Sequence, residues 1–159
     1  MEAGLIADAA IAQSQAEAAA IWGLRDDVAQ CLREGAPFTY DVSLPIESMP
    51  GYLDAVRPAI ARRFPNHRTW VFGHMGDGNL HLVIAAGEAS LQARADAEAI
   101  VYPPLQALGG SVSAEHGIGF EKKAWLAVSR SPQEIELMRS LKRCLDPLGI
   151  LNPGRVFSG

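Results

Sequence analysis

Residues 73–81 read Gly73-His74-Met75-Gly76-Asp77-Gly78-Asn79-Leu80-His81. Two glycines and an asparagine lie between the two histidines, and these residue types tolerate the left-handed backbone of tight turns. The flanking runs, residues 69–72 and 80–84, are rich in β-branched and aromatic side chains, which favour strands. The pattern predicts a β-hairpin with a glycine loop at its tip, so that His74 and His81 lie near neighbouring strand ends.

The two histidines are candidates for binding one metal ion. Side chains opposed across a strand pair have Cβ atoms ~5 Å apart, and imidazole nitrogens bind zinc at ~2.0–2.1 Å. The spacing of His74 and His81 is explained equally well if they are simply two polar residues that close a hairpin and bind no metal. A catalytic zinc site uses three protein ligands. Glu115 is the best third candidate, because it ends a predicted short strand at residues 111–114 that could neighbour the hairpin, whereas Asp77 is better explained as a turn former.

The residue after Glu115 is the second chemical signal. An imidazole titrates near neutral pH and can act as a general base. His116, held beside a metal ligand, could take the proton of a substrate hydroxyl whose pKa the metal lowers. On spacing alone, a loop carboxylate followed by a hydrogen-bonded histidine has equal weight.

Composition limits the classes of function. The chain has 159 residues, 48% hydrophobic and 20% charged, so we expect one compact domain over residues 1–159. A net charge of −4 argues against a nucleic-acid surface, and no apolar run approaches the ~20 residues of a membrane-spanning helix. Cys31 and Cys144 are isolated, which favours buried free thiols over a disulfide scaffold. We therefore expect a reducing, cytoplasmic setting.

The predicted elements follow the order α, β, α, β, β, α, β, α, α. Alanine-rich residues 2–34 predict the first helix, and alternating polarity predicts a strand at residues 38–44. The central β-α-β-β-α-β run predicts an α+β fold, with a ferredoxin-like antiparallel sheet, helices on one face and further helices at both ends. The later helices are expected after Ser48 and at about residues 90–108, 120–128 and 132–146.

The last predicted helix has a marked apolar side. Ser131 is its expected cap and Pro132 its first residue. The apolar positions recur at helical spacing and are Ile135, Leu137, Met138, Leu141 and Leu145.

Several motifs together resemble the C-terminal domain of FAD-linked oxidases, the D-2-hydroxyacid dehydrogenases of the vanillyl-alcohol-oxidase type. This family includes D-lactate dehydrogenase, D-2-hydroxyglutarate dehydrogenase and the glycolate oxidase flavin subunit. The matching stretches cover nearly the whole chain and are Trp22-Gly23-Leu24-Arg25, Tyr40-Asp41-Val42-Ser43-Leu44-Pro45, residues 73–81, Glu115-His116-Gly117-Ile118-Gly119, Asp146-Pro147 and Leu151-Asn152-Pro153-Gly154.

The resemblance implies a role for each matching polar residue. The metal ligands, for zinc or manganese, would be His74, His81 and Glu115. His116 matches the base that takes the substrate hydroxyl proton while hydride passes from the substrate carbon to the flavin. Arg25 matches an arginine that binds a substrate carboxylate, which a guanidinium fork fits well. Asn152 matches a position near the flavin ring.

Three positions depart from the hydroxyglutarate enzymes of the family. Ala29 stands where those enzymes have threonine, Thr39 where many relatives have lysine, and Val83 where the hydroxyglutarate enzymes have asparagine. Strand alternation points Val83 to the same side as His81, so we expect an apolar pocket wall there. The departures predict a substrate smaller or less polar than D-2-hydroxyglutarate, or a lower activity.

The family binds FAD mainly in an N-terminal domain that has no counterpart in this sequence. We therefore expect that the chain alone neither holds FAD stably nor oxidises a hydroxy acid, and that its partner is an FAD-binding domain or chain. An apolar docking face can also drive assembly into a homo-oligomer. The alternatives are a stand-alone metal or hydroxy-acid binding module, and a metal-dependent hydrolase in which a metal-bound water takes the place of substrate.

Overall fold

The computed structural model describes residues 8–33 and 35–157, which belong to two compact units on either side of residue 34. The single domain predicted for residues 1–159 stays a prediction. The helices are Gln15–Asp26 (α1), Met49–Arg63 (α2), Leu91–Val101 (α3), Pro103–Ala107 (α4), Leu126–Ser129 (α5) and Pro132–Leu145 (α6). The strands are Phe38–Ser43 (β1), Arg68–His74 (β2) and Asn79–Ala85 (β3). None of the helices in the described ranges is long and apolar enough to cross a membrane.

The N-terminal unit contains α1 and a 3-10 segment, Asp27–Arg33. Its helix begins where Ser14 can cap it, since the Ser14 hydroxyl accepts a hydrogen bond from the Glu17 N–H at 3.1 Å. The prediction of one helix over residues 2–34 is wrong for residues 8–13, which precede the cap, and for the 3-10 segment, which follows α1. The remaining positions of that prediction, residues 2–7 and 34, lie outside the described residues.

The predicted hairpin is confirmed. A 3-10 turn, Met75–Asp77, joins β2 to β3, and Asp77 Oδ1 accepts a hydrogen bond from the Asn79 N–H at 3.1 Å, as expected of a turn former. Gly78 follows with φ +77. A Cβ atom there would lie 2.4 Å from the backbone oxygen of Leu44, so glycine is required both for the left-handed conformation and for the close approach.

The α+β class with an antiparallel sheet is also confirmed. Within the described residues the three strands pair in the order β1-β3-β2. The predicted fourth strand, residues 111–114, is reduced to one antiparallel bridge between Ser111 and Ser43 beside β1. The next N–H groups bond to side chains instead of to a strand, since the Val112 N–H donates to Ser129 Oγ at 2.9 Å. This use of side-chain acceptors explains why the ladder stops after one pair.

The hydrophobic core joins one face of the sheet to α2 and α3. Alternate positions of β1 and β3 supply buried side chains, as the period of two requires. Tyr52 of α2 donates a hydrogen bond from its buried hydroxyl to the Val101 carbonyl of α3 at 2.9 Å. The core residues of these four elements include Phe38, Tyr40, Val42, Tyr52, Val56, Ile60, Leu80, Leu82, Ile84, Ala93, Ala97 and Val101.

The last helix, α6, begins as predicted but is not buried. Ser131 and Glu134 form a capping box, with the Glu134 N–H donating to Ser131 Oγ at 3.2 Å and the Ser131 N–H to Glu134 Oε2 at 2.7 Å. None of the residues of α6 is buried. Cys144 near its end is exposed, so the expected burial of this thiol is wrong, whereas Cys31 is buried.

Candidate metal centre

The face of the sheet opposite the core carries three of the candidate residues, His74, His81 and Val83. In the strand register Asp41, His81 and Phe72 form one row across β1, β3 and β2, and Asn79 is paired with His74 in the next row. The two histidines are therefore diagonal neighbours, not directly opposed as the simple hairpin predicts. Their rings are nonetheless in contact, with centroids 5.6 Å apart and planes nearly perpendicular.

Three potential ligands converge at this point. His74, His81 and Glu115 each offer one donor atom, and these atoms all lie within 4.8 Å of one another. His74 Nδ1 and Glu115 Oε1 lie 3.0 Å apart. Donors on one tetrahedral zinc lie ~3.4 Å apart, so the widest pair has to close by at most about 1.4 Å, within reach of side-chain rotation. Two imidazoles and one carboxylate form a donor set that catalytic zinc uses, and the residues therefore fit a divalent metal.

The loop that carries Glu115 is held by Asp41, a residue of the site that sequence reasoning missed. The side chain of Asp41 is only 3% exposed. Its Oδ2 accepts hydrogen bonds from the N–H groups of Glu115 and His116, both at 2.9 Å. Its Oδ1 lies 3.8 Å from His81 Nδ1. A signal for Asp41 was nonetheless present in the sequence. Asp41 lies between the apolar residues Tyr40 and Val42 of a predicted strand, and successive side chains of a strand point to opposite faces, so Asp41 is expected on the face opposite the core.

The pKa of the Asp41 carboxyl is lowered, because its partners outweigh the cost of burial. Burial alone raises the pKa of the Asp41 carboxyl, but the His116 and Glu115 N–H donors and the Lys122 ammonium hold the pKa below its ordinary value of 3.8. Lys122 Nζ lies 3.8 Å from Asp41 Oδ2 and donates to Ser113 Oγ at 3.0 Å. Burial lowers the pKa of Lys122 below 10.5, and the charge of Asp41 opposes that shift.

His116, the predicted base, lies beside these residues and is open to solution. Its Nδ1 is 3.5 Å from Asp41 Oδ2, and its side chain is 70% exposed. Its ring stacks loosely on that of His81, with centroids 6.4 Å apart. An exposed imidazole next to a metal centre can exchange a proton with a bound substrate and with solvent.

Comparison with known proteins identifies the family. Residues 1–156 match the family described as FAD linked oxidases, C-terminal domain. The chain belongs to this family. It is 41% identical over 162 residues to a D-2-hydroxyglutarate dehydrogenase of Xanthomonas citri pv. viticola, covering 99% of this chain and 34% of that protein.

Other relatives of this FAD-linked oxidase domain have the same description. The chain is 34% identical to a D-2-hydroxyglutarate dehydrogenase of Stutzerimonas stutzeri, covering 99% of this chain and 35% of that protein. It is 41% identical to the mitochondrial D-2-hydroxyglutarate dehydrogenase of Rattus norvegicus, and the match covers 99% of this chain and 29% of that protein. The chain thus spans about a third of the length of these relatives.

Two of the remaining candidate residues lie in the same unit of this FAD-linked oxidase domain as the metal candidates. Val83 is on the His81 face of β3, paired with Thr39 and Trp70, and is only 4% exposed. Asn152 is exposed, in an irregular tail, and adopts a left-handed conformation with φ +48. Neither the pocket role of Val83 nor the flavin contact of Asn152 is tested by these positions, and both stay predictions.

Arg25, the predicted carboxylate-binding residue, belongs to the N-terminal unit. It lies in the last turn of α1, where its Nη1 donates to Asp26 Oδ1 at 2.8 Å in an exposed ion pair. Such exposed pairs contribute little to stability, so the guanidinium can exchange this partner for another carboxylate. Its role in substrate binding stays a prediction.

Proposed function

We propose that this chain is the substrate- and metal-binding domain of a flavin-dependent D-2-hydroxyacid dehydrogenase. The complete protein would oxidise a D-2-hydroxy acid to the 2-oxo acid and pass the hydride to FAD. The observation that carries the proposal is the convergence of His74, His81 and Glu115 within 4.8 Å of one another, with His116 next to them. Membership of the FAD-linked oxidase family and the relatives described as dehydrogenases support it.

Each residue of the site has a defined task in this proposal. The three ligands hold a divalent metal, zinc or manganese. When bound, the metal supplies a positive charge that lowers the pKa of the substrate hydroxyl. His116 would take the hydroxyl proton as the substrate carbon gives up hydride to the flavin, so that a proton leaves from oxygen and a hydride, which carries both electrons, leaves from carbon. Arg25 binds the substrate carboxylate through two parallel hydrogen bonds.

The substrate we propose is a small 2-hydroxy acid. The relatives are described by D-2-hydroxyglutarate, a dicarboxylate. Ala29, Thr39 and Val83 replace polar or charged residues that the resemblance associates with that substrate. An apolar wall at Val83 favours a smaller or less polar acid such as D-lactate or glycolate. Comparison of D-lactate, glycolate and D-2-hydroxyglutarate turnover by the complete enzyme tests this, and a strong preference for the dicarboxylate would contradict it.

FAD, in this proposal, is bound mainly by a domain or chain beyond these 159 residues, because the relatives are about three times as long. The exposed apolar side of α6 is a suitable docking surface for that partner. The 159-residue chain is accordingly expected to purify without the visible absorbance of a flavin. The two free cysteines favour a reducing, cytoplasmic setting.

The metal site is tested by zinc titration of the chain in a calorimeter. We expect wild type to bind zinc, and His81→Ala to lose more affinity than the ~10–100-fold typical of a supporting contact. The matched control is His67→Ala, because His67 pairs with Thr69 Oγ at 2.8 Å and is not one of the three converging ligands. Equal zinc affinity in wild type and His81→Ala would overturn the metal assignment.

A further inference from the structure

We infer that Asp41 is a positioning residue of this site. Its two carboxylate oxygens position different parts of the site. One oxygen fixes the loop that carries Glu115 and His116, and the other fixes the tautomer of His81. The inference rests on the proposed metal-binding function, and it adds a residue and a mechanism that the three-ligand description lacks.

The first part of the inference comes from the main chain of the loop. Residues 113–117 belong to no strand or helix, and residues 114–116 are bends, so no regular sheet or helix pattern holds them. Instead, the N–H groups of Glu115 and His116 both point to Asp41 Oδ2, at 2.9 Å. The Ala114 N–H donates to the Asp41 backbone oxygen at 3.3 Å. Three successive residues of the loop therefore depend on one residue of β1.

The second part comes from the other oxygen of the carboxylate. Asp41 Oδ1 is buried and has no hydrogen-bond partner among the described residues, although a buried acceptor without a partner is costly. Its neighbour is His81 Nδ1 at 3.8 Å, and Asp41 and His81 are directly paired in the strand register. A closure of about 1 Å would reach normal hydrogen-bond length. The proton would then stay on Nδ1, and the lone pair of Nε2 would be free for the metal.

This arrangement is a recurrent feature of metal sites. A histidine ligand commonly donates its second N–H to a carboxylate, which fixes the ring and raises its basicity, and loss of such a partner costs ~10–100-fold in metal affinity. Asp41 combines this contact with the anchoring of a second ligand, so its loss affects two of the three ligands at once.

The chain contains a matched control for a purely structural role. Asp146 is also a buried aspartate that accepts two successive backbone N–H groups, from Ile150 and Leu151, both at 3.0 Å. It also pairs with a lysine, Lys142, as Asp41 does with Lys122. Its contacts lie at the end of α6 and include none of the three ligands. Asp146→Asn therefore removes the same kind of charge from a similar loop anchor.

The experiment compares Asp41→Asn, Asp41→Ala and Asp146→Asn in the 159-residue chain. Zinc affinity is measured by competition with a chromophoric chelator, and the geometry of the site is followed by the visible spectrum of bound cobalt(II). We expect Asp41→Asn to bind zinc ~10–100-fold more weakly, with an altered cobalt spectrum. Asp146→Asn should lower the melting temperature but keep zinc affinity within about twofold of wild type. If Asp41→Ala does not fold, Asp41→Asn, which retains an acceptor oxygen for the loop, decides the question.

A second readout needs no metal. Nitrogen-15 NMR of the histidine rings in the metal-free chain reports the tautomer of His81. We expect Nδ1–H in wild type and a shift toward Nε2–H in Asp41→Asn, because the new amide can donate to Nδ1. An unchanged tautomer together with unchanged zinc affinity would overturn the inference. A wild-type chain that shows the Nδ1–H tautomer but binds no zinc would overturn the proposed function and leave the role of Asp41 intact.

Discussion

The two faces of β3 are built from alternate residues of the same seven-residue strand, and they differ in what covers them. On one face Leu80, Leu82 and Ile84 are sealed beneath α2 and α3 in the hydrophobic core. On the other face Asn79 is buried, and His81 lies beside Asp41 and near Glu115 of the loop that Asp41 anchors. A strand places successive side chains on opposite faces, so one short segment contributes both to the core and to the candidate metal centre.

The difference predicts that stability and the proposed metal binding depend on separate sets of side chains. The core face is apolar, and its polar atoms are few. The site face concentrates groups that are costly to bury, because both polar atoms of the Asn79 side chain and Asp41 Oδ1 have no hydrogen-bond partner among the described residues. Substitutions on the core face should therefore lower stability and leave zinc affinity unchanged. Substitutions on the site face should lower zinc affinity and leave stability largely unchanged.

The largest effect is expected for Ile84→Ala on the core face. Ile84 is 0% exposed, and truncation of a buried isoleucine leaves a cavity that costs about 2–5 kcal/mol. Urea denaturation should show that loss in the free energy of unfolding, while zinc affinity of the folded protein stays at the wild-type value. His81→Ala, three residues earlier on the opposite face, should do the reverse. A similar loss of zinc affinity in both variants would mean that the two faces are not independent.

A smaller effect separates two buried tyrosines of the core. Tyr52→Phe removes the hydroxyl that donates to the Val101 carbonyl, and we expect it to lower the free energy of unfolding by about 1 kcal/mol. Tyr40→Phe removes a buried hydroxyl that has no partner in the part of the chain the structure describes, so it should be neutral or slightly stabilising. Denaturation of the matched pair measures the difference, and an equal loss in both variants would contradict it.

The sequence pattern was sufficient to predict those elements whose formation depends on neighbouring residues in the chain. The glycine loop predicts the hairpin, and Ser131 followed by Pro132 predicts the start of α6. The motifs also pointed to His74, His81 and Glu115 as candidate ligands of one metal, and these residues converge, although His74 pairs with Asn79, two residues from His81, and is not opposite it. Alanine content alone did not locate the beginning of α1, because the cap residue sets it.

The parts that could not be predicted depend on contacts between distant segments. Asp41 and Glu115 are 74 residues apart, so no local spacing indicates that one anchors the other. The missing fourth strand has a related cause, since the N–H groups of Val112 and Ser113 bond to the side chains of Ser129 and Ser111 rather than to the backbone of β1. Here a side-chain acceptor far along the chain takes an N–H group that would otherwise bond to a neighbouring strand. The alternation of polar and apolar residues gives no information about such an acceptor.

The smallest effect on folding is expected on α6, whose apolar side resembles that of a core helix but is exposed. Leu137, Leu141 and Leu145 are 61%, 54% and 78% exposed, so Leu141→Gln should change the free energy of unfolding by no more than about 0.5 kcal/mol. If this side docks a partner, the variant should instead reduce self-association of the isolated chain or binding of the FAD-binding partner, measured by sedimentation. Leu82→Gln, a matched change at a 1% exposed core position, should lower the free energy of unfolding to about the same extent as Ile84→Ala. A large stability loss from Leu141→Gln would mean that the apolar side of α6 is buried in solution. The apolar side chains of α6 would then behave like those of the core, contrary to this prediction.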